Sequence, residues 1–90
     1  MEKKDKNFYN KIQTKVFEEK QVWWFSCRLG YNDEATFLIK DYSFEDAIIQ
    51  LTNATEELGY DDYNIFEWDI NVDKKVDYDY SNKDFLELYR

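Results

Sequence analysis

The chain of 90 residues contains no histidine and no proline, and it has only two glycines and one cysteine. Without histidine, Ser-His-Asp and Cys-His pairs, an imidazole base near pH 7 and zinc sites built from Cys and His are excluded. With glycine only at Gly30 and Gly59, a glycine-rich phosphate loop is excluded as well. These absences favour a protein that is not an enzyme and uses no cofactor.

Long hydrophobic runs and paired cysteines are also missing. The longest apolar run covers only residues 22–25, so no membrane-spanning segment is predicted. No apolar stretch follows the charged first six residues, so we predict no secretory signal. Cys27 has no disulfide partner, which is typical of a reducing cytoplasm, and we expect a free buried thiol there. The length fits a single compact domain over residues 1–90.

Charge is the strongest compositional signal. Twenty acidic and twelve basic residues give a net charge of −8. Residues 1–29 carry seven basic and four acidic residues, whereas residues 30–90 carry five basic and sixteen acidic residues. Acidic side chains keep a small domain soluble, but this excess is larger than solubility requires. We interpret the acidic part as a negative field that attracts a basic partner.

Secondary structure is clearest in the middle of the chain. Residues 21–29 and 35–41 are predicted to be strands that pair as a hairpin. A capping motif begins a helix over residues 44–58, and Gly59 follows its end. Apolar and acidic residues alternate over residues 64–73, which is typical of a half-buried strand. Six aromatic residues are assigned to the core: Trp23, Phe25, Phe37, Phe44, Phe66 and Trp68.

The two ends of the chain complete the predicted fold. Within residues 5–17, i, i+4 spacing favours a helix, although alternation there also fits a strand. Residues 76–80 predict one more strand, with a second hairpin at residues 74–75, and a capping motif at Ser81 predicts a short terminal helix. The fold is therefore predicted to be α+β, an antiparallel sheet of about four strands with helices mostly on one face. The expected order is α or β, β, β, α, β, β, α.

Carboxylates gather along the two later strands and the connection before them. Alternate residues of a strand lie roughly 6.6 Å apart on one face, a spacing of the same order as that of successive phosphates along a nucleic-acid strand. We therefore predict a continuous outward ridge that binds a basic nucleic-acid-binding protein, although a solvated sheet face would show the same alternation. The candidate partner-binding residues are Asp61, Asp62, Glu67, Asp69, Asp73, Asp77, Asp79 and Tyr78.

Two other interpretations use overlapping residues. The run from Asp69 to Asp73 matches the opening of a calcium loop, but Lys74 replaces its glycine and Tyr80 its bidentate glutamate. We therefore predict no metal site, and a Mg²⁺-dependent carboxylate hydrolase is a minor alternative. Trp24, on the sheet face opposite the core, is expected to be exposed near several lysines. Trp24 and these lysines would form a basic and aromatic patch of the kind that binds nucleic acid. The net negative charge of the chain disfavours direct nucleic-acid binding by this patch.

The chain resembles a class of small acidic inhibitors encoded by phages and mobile elements. The features that it shares with them are its small size, its acidity, its α+β pattern, its richness in residues with A/T-rich codons, and its acidic rows at 61–62, 67–73 and 77–79. That class includes DNA-mimicking anti-restriction and anti-CRISPR proteins. The resemblance is one of type over the whole chain. It implies a non-catalytic protein, a monomer or homodimer, that occupies the DNA-binding cleft of a host enzyme in the cytoplasm. The alternative is an assembly module that self-associates through a sheet edge or through the Trp24 face.

Overall fold

The structure, a computed structural model, describes residues 6–81. Within that range no helix is both long and apolar enough to cross a membrane. The fold is α+β, as predicted. Its elements are α1 (Lys6–Thr14), β1 (Val16–Leu29), β2 (Asp33–Ser43), α2 (Phe44–Glu57), β3 (Tyr63–Ile70) and β4 (Tyr78–Asp79).

The structure tests the prediction for the first segment of the chain but not the one for its last segment. The helix favoured for the first segment is confirmed over α1, and the next strand begins two residues after this helix ends. The terminal helix predicted after Ser81 lies outside the described residues. Both helices pack on one side of the sheet, since α1 contributes Phe8 and Ile12 to the cluster that α2 covers. Helices on one face are therefore confirmed for the described residues.

The four strands form one sheet in the order β3-β1-β2-β4. β1 pairs antiparallel with both β2 and β3, whereas β4 pairs parallel with β2. The second hairpin predicted at residues 74–75 is therefore wrong, because the chain crosses from one sheet edge to the other. The reason lies at Asp77, whose N–H donates to the Thr36 carbonyl (3.1 Å) and whose carboxylate accepts from the Thr36 N–H (2.8 Å). These bonds hold β4 at the free side of β2.

The core lies between α2 and one face of the sheet. The alternate residues Trp23, Phe25 and Cys27 of β1 are fully buried and pair with Ile39, Phe37 and Ala35 of β2. The α2 prediction is confirmed, including its cap, where the Ser43 hydroxyl accepts from the Asp46 N–H at 3.1 Å. Helical periodicity and strand alternation therefore identify most of this core.

The core also contains polar side chains, near the end of β2. Asp41 is 9% exposed, and its carboxylate accepts hydrogen bonds from the Gln50 amide and from the Tyr42 N–H. The indole N–H of Trp23 donates to the Asp41 carbonyl at 2.9 Å. A buried carboxylate destabilises a fold unless it is hydrogen-bonded, so this network allows Asp41 to lie under α2.

Phe66 is not part of the core, which corrects the sequence prediction. Ser26 pairs with Glu67 but Cys27 pairs with Ile65, so Phe66 is the extra residue of a β-bulge. The bulge turns Phe66 outward, where it is 55% exposed and lies beneath the Arg28 guanidinium, 5.7 Å from the ring centroid. Strict alternation cannot reveal a bulge, because a bulge shifts the register by one residue.

Cys27 is the free buried thiol that the sequence predicts. Its burial raises the pKa of the thiol from 9.0 to about 12. The thiolate is the reactive form of cysteine, so Cys27 remains a protonated, inert packing group at neutral pH.

Candidate functional site

The outer face of the sheet, opposite the helices, carries four of the predicted carboxylates. Glu67 and Asp69 lie on β3 at one edge, whereas Asp77 and Asp79 lie at the opposite edge, on and beside β4. With about 4.8 Å between neighbouring strands, the two edges are roughly 14 Å apart. These carboxylates therefore form two rows at the margins of the outer face, in place of the single ridge expected from the sequence.

Each of these four carboxylates has a partner within the protein. The partners are Lys74 for Glu67, the Ile70 N–H for Asp69, the Thr36 N–H and hydroxyl for Asp77, and the Ser81 N–H for Asp79. The Lys74 ammonium lies 3.8 Å from the Glu67 carboxylate, and both side chains are substantially exposed. Such surface ion pairs contribute little stability, so Glu67 can exchange this contact for one with a partner.

The middle of the outer face is covered by the crossover, residues 71–77. The Lys74 ammonium lies 3.8 Å from the centroid of the Trp24 ring, and Trp24 is only 6% exposed. The Trp24 face that was expected to be exposed is therefore covered, because the crossover passes over β1 and β2 to reach the far edge. Asp73 lies exposed in this crossover, whereas Tyr78 stacks on Phe37 with a centroid distance of 5.0 Å.

Asp61 and Asp62 lie at one end of the sheet, where the fold brings further acids from two other segments. The Gly30 N–H donates to the Asp62 carbonyl at 3.1 Å, and the Tyr60 hydroxyl donates to the Asp33 carboxylate. Both bonds join the β1–β2 turn to the connection after α2. We call this surface the acidic end, and its exposed carboxylates are Asp33, Glu34, Glu56, Glu57, Asp61 and Asp62.

The last turn of α2 adds to the negative field of the acidic end. A helix C-terminus carries a partial negative charge and favours cations. Here the neighbouring residues are Glu56 and Glu57, and the last turn contains no basic residue. Arg28, near the same end of β1, lies over the Phe66 ring on the outer face. Glu56 and Glu57 therefore add negative charge where a helix C-terminus already disfavours it.

The pKa of Tyr60 responds to one of these carboxylates, Asp33. Its hydrogen bond to the Asp33 carboxylate is the largest of the effects that raise the pKa of Tyr60 above 10.0. The carboxylate accepts a hydrogen bond from the neutral phenol and opposes formation of a second negative charge beside it. Because the pKa is raised in the folded state, the associated stabilisation is present below pH 10.0 and is lost as the pH rises through the Tyr60 pKa.

Replacing Asp33 with Asn should lower the pKa of Tyr60 towards 10.0, because the charged acceptor is removed. The measurement is an NMR titration of the tyrosine ring resonances, assigned with a Tyr60→Phe variant. An unchanged Tyr60 pKa in Asp33→Asn would show that this carboxylate is not the cause.

Four members of the acidic end were not predicted from the sequence: Asp33, Glu34, Glu56 and Glu57. The sequence does contain a signal for part of the acidic end, since residues 41–73 include ten acidic residues and no Lys or Arg. Alternation within a strand does not identify Asp33 and Glu34, which begin β2, or Glu56 and Glu57, which end α2. That the turn and the helix end lie at the same end of the sheet depends on the packing of α2, which local patterns do not specify.

The described carboxylates do not come together as a metal site. Among residues 6–81, no three carboxylate or thiol side chains are grouped so that they could hold a metal ion. In the calcium-like segment, Asn71 has a positive φ of 54° and its side-chain oxygen accepts from the Val22 N–H at 3.1 Å. This residue therefore serves to attach the start of the crossover to β1.

Comparisons with known proteins give no match. No protein-family model, no curated protein and no solved structure matches the chain. The function is therefore inferred from the geometry and charge of the described residues.

Proposed function

We propose that the protein is a non-enzymatic inhibitor that binds the nucleic-acid-binding cleft of a basic host protein, such as a CRISPR effector or a restriction enzyme. Its acidic surface takes the place of nucleic-acid phosphates, and it acts in the cytoplasm of the host cell. The observation that carries this proposal is the acidic end, where exposed carboxylates from three segments come together without a basic residue in the last turn of α2.

Rigidity supports the same proposal. The bonds from Gly30 to Asp62 and from Tyr60 to Asp33 tie the turn and the connection to each other. Backbone segments that are already held in place lose little conformational freedom on binding, so more of the attraction to a partner appears as affinity. A fixed field of one sign also accelerates encounter with a basic cleft, and this effect weakens as salt is added.

The predicted partner-binding residues contribute unequally in this proposal. Asp61 and Asp62 belong to the acidic end, and Glu67 and Asp69 extend it along β3. The remaining candidates lie elsewhere: Asp73 is in the crossover, and Asp77, Tyr78 and Asp79 are at the β4 edge. Since the Asp77 carboxylate also holds β4 in place, we assign it a structural role first.

Competition with DNA tests the proposal. The immobilised protein is incubated with a lysate of a low-GC bacterium at low ionic strength, and retained proteins are eluted with double-stranded DNA or with a salt step. We expect DNA to release the same proteins as salt, because one cleft cannot hold the inhibitor and DNA together. Retained proteins that salt releases but excess DNA does not would contradict phosphate mimicry, as would the absence of any retained protein.

A further inference from the structure

β3 presents a long unpaired edge. Among residues 6–81, this strand pairs with β1 on one side and with no strand on the other. The opposite edge of the sheet differs, because β4 has only two residues. Short edge strands protect a sheet from pairing with other chains, whereas long ones offer a template for an added strand. The β3 edge is therefore the more suitable of the two for strand addition.

The backbone of β3 has donors that face away from β1. Just beyond the two ends of β3, the Asp62 carbonyl accepts from the Gly30 N–H, which follows β1, at 3.1 Å, and the Asn71 N–H donates to the Val22 carbonyl of β1 at 2.7 Å. Bonded and unbonded residues alternate along an antiparallel pair. Counting inward from both ends, with Phe66 as the bulge, directs the N–H groups of Ile65 and Trp68 outward. An added strand could accept hydrogen bonds from both.

The side chains beside this edge have different chemistry on the two faces. Glu67 and Asp69 lie on the outer face, and the half-buried side chains of Ile65 and Trp68 lie on the helix face. Opposite charges on neighbouring strands stabilise a sheet, and like charges destabilise it. The edge therefore fits an extended segment with Lys or Arg on one face and apolar residues on the other.

A second copy of this chain is a poor occupant. Self-pairing of β3 would bring Glu67 and Asp69 close to the same carboxylates of the other copy, which repel. The bulge at Phe66 would also interrupt a continuous ladder between two identical strands. These features disfavour the homodimer that an exposed edge would otherwise suggest.

We propose that the β3 edge binds an extended segment of the partner by strand addition, and that this segment alternates basic and apolar residues. The positive charge assigned to the partner rests on the proposed function. The backbone pairing is independent of that function, and it identifies where along the acidic surface the partner is held.

The test uses a short peptide of alternating Lys and Val, with a peptide of the same composition in one Lys block and one Val block as the control. Binding is measured by titration calorimetry, and amide exchange of Ile65 and Trp68 by NMR. We expect the alternating peptide to bind at least about tenfold more tightly than the block peptide and to slow exchange at both amides. Glu67→Lys with Asp69→Lys should weaken this binding more than Asp61→Lys with Asp62→Lys.

Equal binding of both peptides without slower amide exchange would overturn strand addition and leave the proposed function intact, because charge alone would then explain the binding. Failure of both peptides to bind would also overturn strand addition. The proposed function is judged separately, by competition with DNA, so the two failures are distinguishable.

Discussion

Replacing Asp61 and Asp62 with lysine should abolish retention of the DNA-releasable partner while leaving the protein folded. Both side chains are exposed in the connection after α2, so the substitutions should change stability by only about 0.5 kcal/mol each. Two reversed charges facing a basic cleft should weaken binding by at least about a hundredfold, since each disrupted charge pair can weaken binding by about 2–5 kcal/mol. Retention is measured by the same pull-down, and folding by circular dichroism.

Glu18 and Glu19 provide the matched control, because they are another adjacent pair of exposed acids, far from the acidic end in the sheet. Glu18→Lys with Glu19→Lys changes the net charge by the same amount and should largely preserve retention. Equal loss in both double variants would show that net charge, and not the acidic end, determines binding.

The outer face can be separated from the acidic end in the same way. Reversal of Asp69, Asp73 and Asp77 to lysine should reduce retention less, for each substitution, than reversal at the acidic end. It should also destabilise the protein, since the Asp77 carboxylate accepts the Thr36 N–H and hydroxyl that hold β4. A folded triple variant with complete loss of retention would instead make the outer face the main binding surface.

Replacing Leu51 with Ala should lower the free energy of unfolding by about 2–5 kcal/mol. Leu51 is fully buried in the core cluster between α2 and the sheet, so truncation leaves a cavity in a packed core. For a domain of this size the melting temperature should fall by roughly 8 °C or more. Urea unfolding and a thermal melt measure the two quantities.

Ile49→Ala is the control on the same helix. Ile49 is 57% exposed on the opposite side of α2, and alanine has the higher helix propensity. The unfolding free energy should therefore change by no more than about 0.5 kcal/mol. Similar losses in the two variants would contradict the orientation of α2 described above.

Local patterns were sufficient for the central elements and for most of the core. The Ser43 cap, the spacing of apolar residues along α2 and the alternation along β1 each depend on neighbours within a few residues, and the structure confirms all three. Their physical basis is the fixed period of a helix or strand, which assigns each side chain to a face without reference to the rest of the chain.

Long-range pairing decided the rest. Alternation over residues 76–80 is compatible with a hairpin on β3 or with a strand on β2, and long-range bonds, such as those from Asp77 to Thr36 and from Tyr80 to Leu38, select the second. The local sequence of β3 does not show the bulge at Phe66 either, because a register shift depends on the partner strand. The acidic end arises for the same reason: its carboxylates are up to 29 positions apart in the chain, between Asp33 and Asp62, and they meet because the hairpin turn and the end of α2 lie at one end of the sheet.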